Sequence, residues 1–334
     1  MHHLTFLGTS SGVPTKYRNV SALAVSLLKE QGTAGKNTPW ILVDCGEATQ
    51  HQLMHTSLRP SNLQAIFITH VHGDHCYGLP GLLASLAMHG RKTPLTIIAP
   101  QAIKLMLDTI INLTQMTLNY EIKFLAIESI LDDGMQMTLG KDWQLDVQLT
   151  ALSHRCDSYA FSLSQSFSKV KLNTDKLEKL NIPNRLWGKI LHSNEPMVDL
   201  GEWGRVFGDD FRTVEHFCQK IVIAGDNDNP DLLQTAVQNA DILVHESTYT
   251  EPIRQKILAK GEIDPKHSSA LQIAKFAQKM QVPTLVLTHF SARFALSEKA
   301  DQDVPTMGDV KKEVQSVYDG KLILAKDFLS FYTK

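Results

Sequence analysis

The sequence predicts an α/β protein, a four-layer αββα sandwich in one domain of 334 residues, with an inserted arm over 165–219. Three observations predict it. The apolar run Ala65-Ile66-Phe67-Ile68 ends in Thr69-His70-Val71-His72-Gly73-Asp74-His75, and a helical stretch from Gly78 to Met88 follows. Apolar segments over 121–164 read as neighbouring strands of one sheet. From Lys220 onward strands alternate with helices, the wiring of the second half of such a sandwich.

The elements follow in order. A strand over 4–7 leads into the glycine-rich loop 8–14 and a second strand over 22–27. A polar, glycine-bearing connection over 29–39 leads to a strand over 40–43, which ends at Asp44-Cys45-Gly46-Glu47 before a helix over 48–55. Pro80 falls in the first turn of the next helix, where a missing N–H costs nothing. A strand over 95–98, a helix over 102–114 and strands near 121–124, 135–138, 144–151 and 159–164 come next. Past the arm, the strand 220–224 ends at Gly225-Asp226-Asn227, and 230–238 is helical. The strand 242–244 ends at His245-Glu246-Ser247-Thr248, with helices over 253–260 and 268–279 after it. The strand 284–287 ends at Thr288-His289-Phe290-Ser291; a helix over 309–318 and strands over 322–324 and 328–332 close the pattern.

Composition narrows the class. Hydrophobic residues make up 43% and charged residues 20%, with a net charge of −2 and a pI near 6.7. Nothing global calls for nucleic acid or an anionic membrane, so a polyanion must be met by a local patch. No signal segment and no membrane-length apolar stretch is expected, and a cytoplasmic location is. Cys45, Cys76, Cys156 and Cys218 form no C-x-x-C, which fits a reducing compartment. Three of them lie near proposed site elements, where each is either a small buried hydrophobe or a thiolate ligand.

The chemistry gathers at strand ends. Three imidazoles and a carboxylate within six residues, His70, His72, Asp74 and His75, form a ligand set that zinc accepts, and two pairs on one loop suggest two metals. His154, Asp226, Glu246 and His289 stand at other strand ends, and loops at one edge of a layered sheet converge. Asp44, beside the loop, is placed to accept an N–H from a ligand imidazole. Ser291 and Arg293 follow His289 and are candidate phosphate contacts.

The H-x-H-x-D-H loop resembles that of the metallo-β-lactamase superfamily. Phe6-Leu7-Gly8-Thr9-Ser10-Ser11-Gly12-Val13-Pro14-Thr15 with Arg18-Asn19, Asp44-Cys45-Gly46-Glu47-Ala48-Thr49-Gln50 and Gly78-Leu79-Pro80-Gly81-Leu82-Leu83 narrow the resemblance to the ribonuclease Z family, tRNA 3′-processing endoribonucleases. It runs from Phe6 to about Phe294 and is weakest over 165–220. It implies a sandwich of the metallo-β-lactamase type with two zinc ions per subunit, manganese being the other candidate. One metal takes His70, His72 and His154, the other Asp74, His75 and His289, and Asp226 bridges them. Asp74 also serves catalysis by holding the attacking water. His267, paired with Glu246, is the implied acid for the leaving 3′-oxygen. Two metals lower the pKa of bound water toward ~7 and clamp a phosphodiester, leaving a 3′-hydroxyl on the tRNA.

The implied partners are a tRNA precursor and a second copy of the chain, with no membrane. Over 169–192 six basic residues, among them Lys176, Lys179, Arg185 and Lys189, stand against two acidic ones. Over 193–215 two basic residues stand against six acidic ones. The arm is either a solvated excursion or a substrate grip. Its tip lacks the Pro-Gly-Pro that the family carries before Leu186-Trp187-Gly188-Lys189. The alternative function is therefore a small-molecule phosphodiesterase, or another metallo-hydrolase on the same fold.

Overall fold

Strands at the centre of the chain are apolar on both faces, and successive residues serve different neighbours. Ala65 and Phe67 join one buried cluster with Leu4, Phe6, Val25, Phe161, Ile221, Val244 and Val286. Leu63, Ile66 and Ile68 turn the other way, onto Leu79, Leu82, Leu83 and Leu86. Ile221 and Ile223 likewise face inward, while Val222 meets Ile273, Phe276, Val310 and Val314. The first cluster lies between two sheets, and the other two lie under helices on the outer faces. The result is an αββα sandwich. Each inward Val, Leu or Ile contributes about 1.5–3 kcal/mol by leaving water.

The computed structural model describes residues 2–28, 37–139, 143–261, 263–297 and 304–333. Among these, one seven-stranded sheet runs Ser330–Tyr332, His2–Gly8, Ala22–Leu27, Trp40–Val43, Leu63–Phe67, Leu95–Ala99 and Ile122–Ala126. The other runs Lys321–Leu324, Thr284–Thr288, Ile242–Glu246, Arg212–Ala224, Ser158–Leu172, Trp143–Leu152 and Met135–Leu139. The helix Leu79–Met88 buries Leu79, Leu82, Leu83 and Leu86, a 3.6-residue stripe, with Pro80 in its first turn. Ser269 and Gln272 form a capping box that starts Ala270–Lys279.

Several expectations need correction. The segments over 121–164 do not share one sheet. Ile122–Ala126 is the edge of the first, and the chain crosses to the second before Met135. Asp74 and His75 lie in a short helical turn, Gly73–Cys76, rather than in open loop. Within 230–238 only Pro230–Leu233 is helical, a 3₁₀ turn, and the chain leaves it through turns ending at Asn239 with φ 57°. The connection expected over 29–39 lies outside the described residues from 29 to 36.

The chain divides into two compact units, Met1–Gln165 with Gln219–Lys334, and Ser166–Cys218. The second carries the helices Thr174–Lys179 and Asn184–His192 and the strand pair Met197–Asp199 with Arg205–Phe207. Its apolar residues are spaced rather than run together, yet Leu177, Ile182, Leu186, Ile190, Val198, Leu200 and Phe211 form a core of their own.

Candidate metal centre

The loop after Leu63–Phe67 is held by two close backbone approaches. Cys45 N–H donates to His75 O at 2.8 Å, and Gly78 N–H donates to Cys45 O at 2.9 Å. A Cβ at Gly46 would lie 2.3 Å from Asp74 O, and one at Gly78 2.0 Å from Gly46 O, so neither position accepts a side chain. Asp44 (φ 60°), Lys266 (φ 54°) and His289 (φ 56°) sit in the left-handed region, a conformation concentrated at functional sites.

The hydrogen bonds assign the imidazole tautomers. His75 Nδ1 lies 2.7 Å from Asp44 Oδ2, and His154 Nδ1 lies 2.7 Å from Lys266 O; both partners only accept, so both rings carry the proton on Nδ1. Thr248 Oγ1 donates to Glu246 and therefore accepts from His289 Nδ1 at 3.0 Å. Thr69 Oγ1, bonded to Asp44, accepts from His70 Nδ1 at 3.0 Å. Four Nε2 lone pairs are thus turned inward.

They meet carboxylate oxygens. His70 and His154 Nε2 lie 3.6 and 3.7 Å from Asp226 Oδ2; His75 and His289 Nε2 both lie 3.4 Å from Asp226 Oδ1. Asp74 Oδ2 lies 3.3 Å from His289 Nε2 and 3.6 Å from His75 Nε2. His72 presents Nδ1, at 3.2 Å from His70 Nε2 and 3.1 Å from His154 Nε2. Two groups result, His70, His72, His154 and Asp226, and Asp74, His75 and His289, each with its ligand atoms within 4.8 Å of one another. A tetrahedral shell at 2.0–2.1 Å from zinc has edges of about 3.3 Å, so the donor set fits a metal. Lone pairs at these separations repel unless a cation or a proton lies among them.

The local charge agrees. Burial works against protonation of His75, but Asp226, then Asp44 and Asp74, outweigh it and hold the ring at about 10. Burial and the neighbouring rings push His70 well below its ordinary value. Burial raises Asp74, but His75, His289 and the Gly12 N–H at 2.7 Å carry it far below the usual carboxylate range. The pocket calls for positive charge and offers lone pairs to hold it. These are metal-binding clusters.

His267 stands beside them. Its Nδ1 lies 3.0 Å from Glu246 Oε2 and 3.7 Å from Asp226 Oδ2. Burial opposes its charge, but Glu246 and then Asp226 bring it to about 9. With Asp226 and His289 it forms a third group of nearby ligand atoms, although its Nδ1 is already bonded to Glu246.

Other expected residues lie further out. Ser291 pairs with Ser11 in a two-residue strand, and Arg293 stacks on Tyr249 at 5.4 Å. Tyr249 in turn lies edge-on to His267 at 6.0 Å. Lys176, Lys179, Arg185 and Lys189 are exposed on helices of the second unit, and the side chain of Lys169 is outside the described residues. Cys45 and Cys76 are buried, and burial pushes the Cys76 thiol up to about 12. Cys156 Sγ lies 3.7 Å from His72 Nε2. Thr69, Thr248, the Lys266 carbonyl and the Gly12 N–H were not anticipated. Hydroxyls and backbone groups carry no sequence signal of their own.

A family model described as Anti-Pycsar protein Apyc1 matches residues 2–190. A ribonuclease Z of Pseudomonas putida is 40% identical over 98% of this chain and 95% of its own. The human tRNase Z short form superposes with a TM-score of 0.62 at 24% identity, covering 99% of both chains. The metallo-β-lactamase fold protein YhfI of Bacillus subtilis superposes with a TM-score of 0.60 at 18% identity, covering 99% of this chain and 98% of that one. The sandwich is thus of the metallo-β-lactamase type, and by full-length identity to its relatives this chain belongs to the ribonuclease Z family.

Proposed function

We propose that the protein is a metal-dependent endoribonuclease that removes 3′ trailers from tRNA precursors and leaves a 3′-hydroxyl. The observation that carries this is the convergence of four Nε2 lone pairs on the oxygens of Asp74 and Asp226, in a chain of this family. His70, His72 and His154 would hold one zinc or manganese ion, Asp74, His75 and His289 a second, with Asp226 shared. Bound there, the pair would lower the pKa of water and withdraw charge from a phosphodiester. Asp44 orients His75 through Nδ1. Asp74 would hold the attacking water as well as one ion. Glu246 fixes the His267 ring by Nδ1, so the proton for the leaving 3′-oxygen departs from Nε2. Ser291 and Arg293 are the proposed phosphate contacts, Arg293 standing over Tyr249, whose ring meets that of His267.

The second unit is proposed as the grip on tRNA, through Lys176, Lys179, Arg185 and Lys189. One observation favours the small-molecule reading instead: several of the unit's cations, Arg185 of the proposed grip among them, are paired with its own carboxylates. Lys171 pairs with Glu215 at 2.7 Å, Arg205 with Asp199 at 3.6 Å and Arg185 with Glu202 at 3.9 Å. The test is a side-by-side assay with zinc or manganese, on a trailer-bearing tRNA precursor and on a chromogenic phosphodiester. One cut in the precursor, with a 3′-hydroxyl, supports the proposal; hydrolysis of the small ester alone gives the second reading.

A homodimer is proposed through the groove between Thr49–Leu53 and Leu79–Met88, about 500 Å³ and lined by Leu53, Met54, Leu58, Leu82 and Leu86. Met54, on its wall, is 78% exposed. Sedimentation of the purified protein tests this. Among the described residues no helix is long and apolar enough to cross a membrane. The free cysteines suit the reducing cytoplasm proposed as its location.

A further inference from the structure

Asp327 lies between Lys321–Leu324 and Ser330–Tyr332, far in sequence from every ligand group, yet its carboxylate closes the neck of the loop 9–19. Oδ1 accepts from Thr9 Oγ1 at 2.8 Å. Oδ2 accepts from Asn19 N–H at 2.6 Å and from Gln52 Nε2 at 3.0 Å. Asn19 O then accepts from Thr9 N–H at 2.9 Å and Ser10 N–H at 2.8 Å, which pins the two ends of the loop together. From this neck the loop reaches two ligands. At its tip Gly12 N–H donates to Asp74 Oδ2 at 2.7 Å. At its base Thr9 O accepts from Phe290 N–H at 2.9 Å, directly after His289, and Ser10–Ser11 pairs with Phe290–Ser291.

We propose that Asp327 is a positioning residue for the reaction, acting through the loop 9–19 to set the carboxylate of Asp74 and the backbone that carries His289. This rests on the reading of Asp74 and His289 as metal ligands. Three protein donors converge on one half-buried carboxylate, and all three bonds form together only when the neck is closed. Two stretches distant in sequence, 9–19 and 289–291, are thereby held to one carboxylate.

Asp327→Ala removes every acceptor. Asp327→Asn can keep all three bonds, with its oxygen toward Asn19 and Gln52 and its NH₂ toward the Thr9 hydroxyl, which also accepts. The loop tip carries Lys16, which is exposed, so trypsin reports the neck directly. The expected result for Asp327→Ala is cleavage after Lys16 faster by about 10-fold, faster stripping of metal by a chelator, and kcat on a chromogenic phosphodiester lower by roughly 10- to 100-fold with KM nearly unchanged. That is the range for displacing a catalytic group by about 1 Å. Asp327→Asn should restore all three readouts to near wild type. Should Asp327→Ala not fold, Thr9→Val, which removes only the Oδ1 bond, is judged by the same cut and should show a smaller shift in the same direction. Wild-type trypsin resistance and kcat in Asp327→Ala, or in Thr9→Val if that stands in, overturns the inference. Asp74→Ala is the control. If it keeps both metal and activity, the reading of the centre has failed and the inference goes with it; if it loses both while Asp327→Ala does not differ from wild type, the inference alone has failed.

Discussion

Asp226 is the residue on which the two ligand groups depend. Its two oxygens face different pairs of imidazoles, Oδ2 toward His70 and His154, Oδ1 toward His75 and His289. Asp226→Ala should therefore lose metal and activity together, and metal analysis of the purified variant checks it; full occupancy would remove Asp226 from the centre. His267 should behave differently. Its bonds run to Glu246, and its removal leaves the inward Nε2 atoms in place. His267→Ala should keep its metal and slow the chemical step by roughly 10²–10⁴, measured by single turnover; an unchanged rate excludes it as the acid. The candidate ligands were legible as single letters because each stands at or just past the end of an apolar strand. Their orientation was not. Thr69, Thr248 and the Lys266 carbonyl choose the tautomers, and positive φ at Asp44 and His289 aims the side chains. None of these has a periodicity or a motif.

Among the elements, legibility followed local pattern. Strands such as Leu63–Phe67 and Thr284–Thr288 appeared within a residue or two of expectation, because continuous apolar runs bounded by polar turns allow little else. Sheet membership was not visible. Nothing between Ile122–Ala126 and Met135–Leu139 says that the chain changes sheets, since pairing is decided by partners distant in sequence. The second unit was visible as a break in pattern, but its core was not, because its two helices are only 6 and 9 residues long. That core bears on how the grip is tested. Deleting 169–192 would remove Leu177, Leu186 and Ile190 and uncover Val198, Leu200 and Phe211. Charge reversal of Lys176, Lys179 and Lys189 on the exposed helix faces spares it. If these lysines contact phosphates, precursor binding should weaken and its log–log salt slope should flatten by about 0.7–0.9 per lost contact. Hydrolysis of a small phosphodiester should not change. Equal binding by wild type and the reversed variant, across a salt titration, would show that the unit does not grip RNA.

At the scale of the whole molecule, the proposed metal ligands come from both sheets. His70, His72, Asp74 and His75 follow Leu63–Phe67 of the first. His154, Asp226 and His289 follow Trp143–Leu152, Arg212–Ala224 and Thr284–Thr288 of the second. The sandwich has a continuous apolar core through Phe67 and Phe161, whose rings meet edge-on at 5.0 Å, but at this rim the apolar contact gives way to lone pairs and carboxylates. A cation bound at that rim would cross-link the two sheets. Anything that binds the folded state alone stabilises it by mass action, about 2.7 kcal/mol at a free concentration 100 times Kd. For a unit of this size that corresponds to a shift in Tm of roughly 4–5 °C. Chelation should therefore lower the melting temperature by this order, and zinc or manganese added back should restore it in proportion to the logarithm of its free concentration. Asp226→Ala supplies the comparison, since it should melt near the chelated wild type and respond to neither chelator nor metal. If chelated and metal-loaded wild type melt together while activity still depends on the metal, the ions serve the chemistry without joining the sheets, and the apolar core alone holds this edge closed.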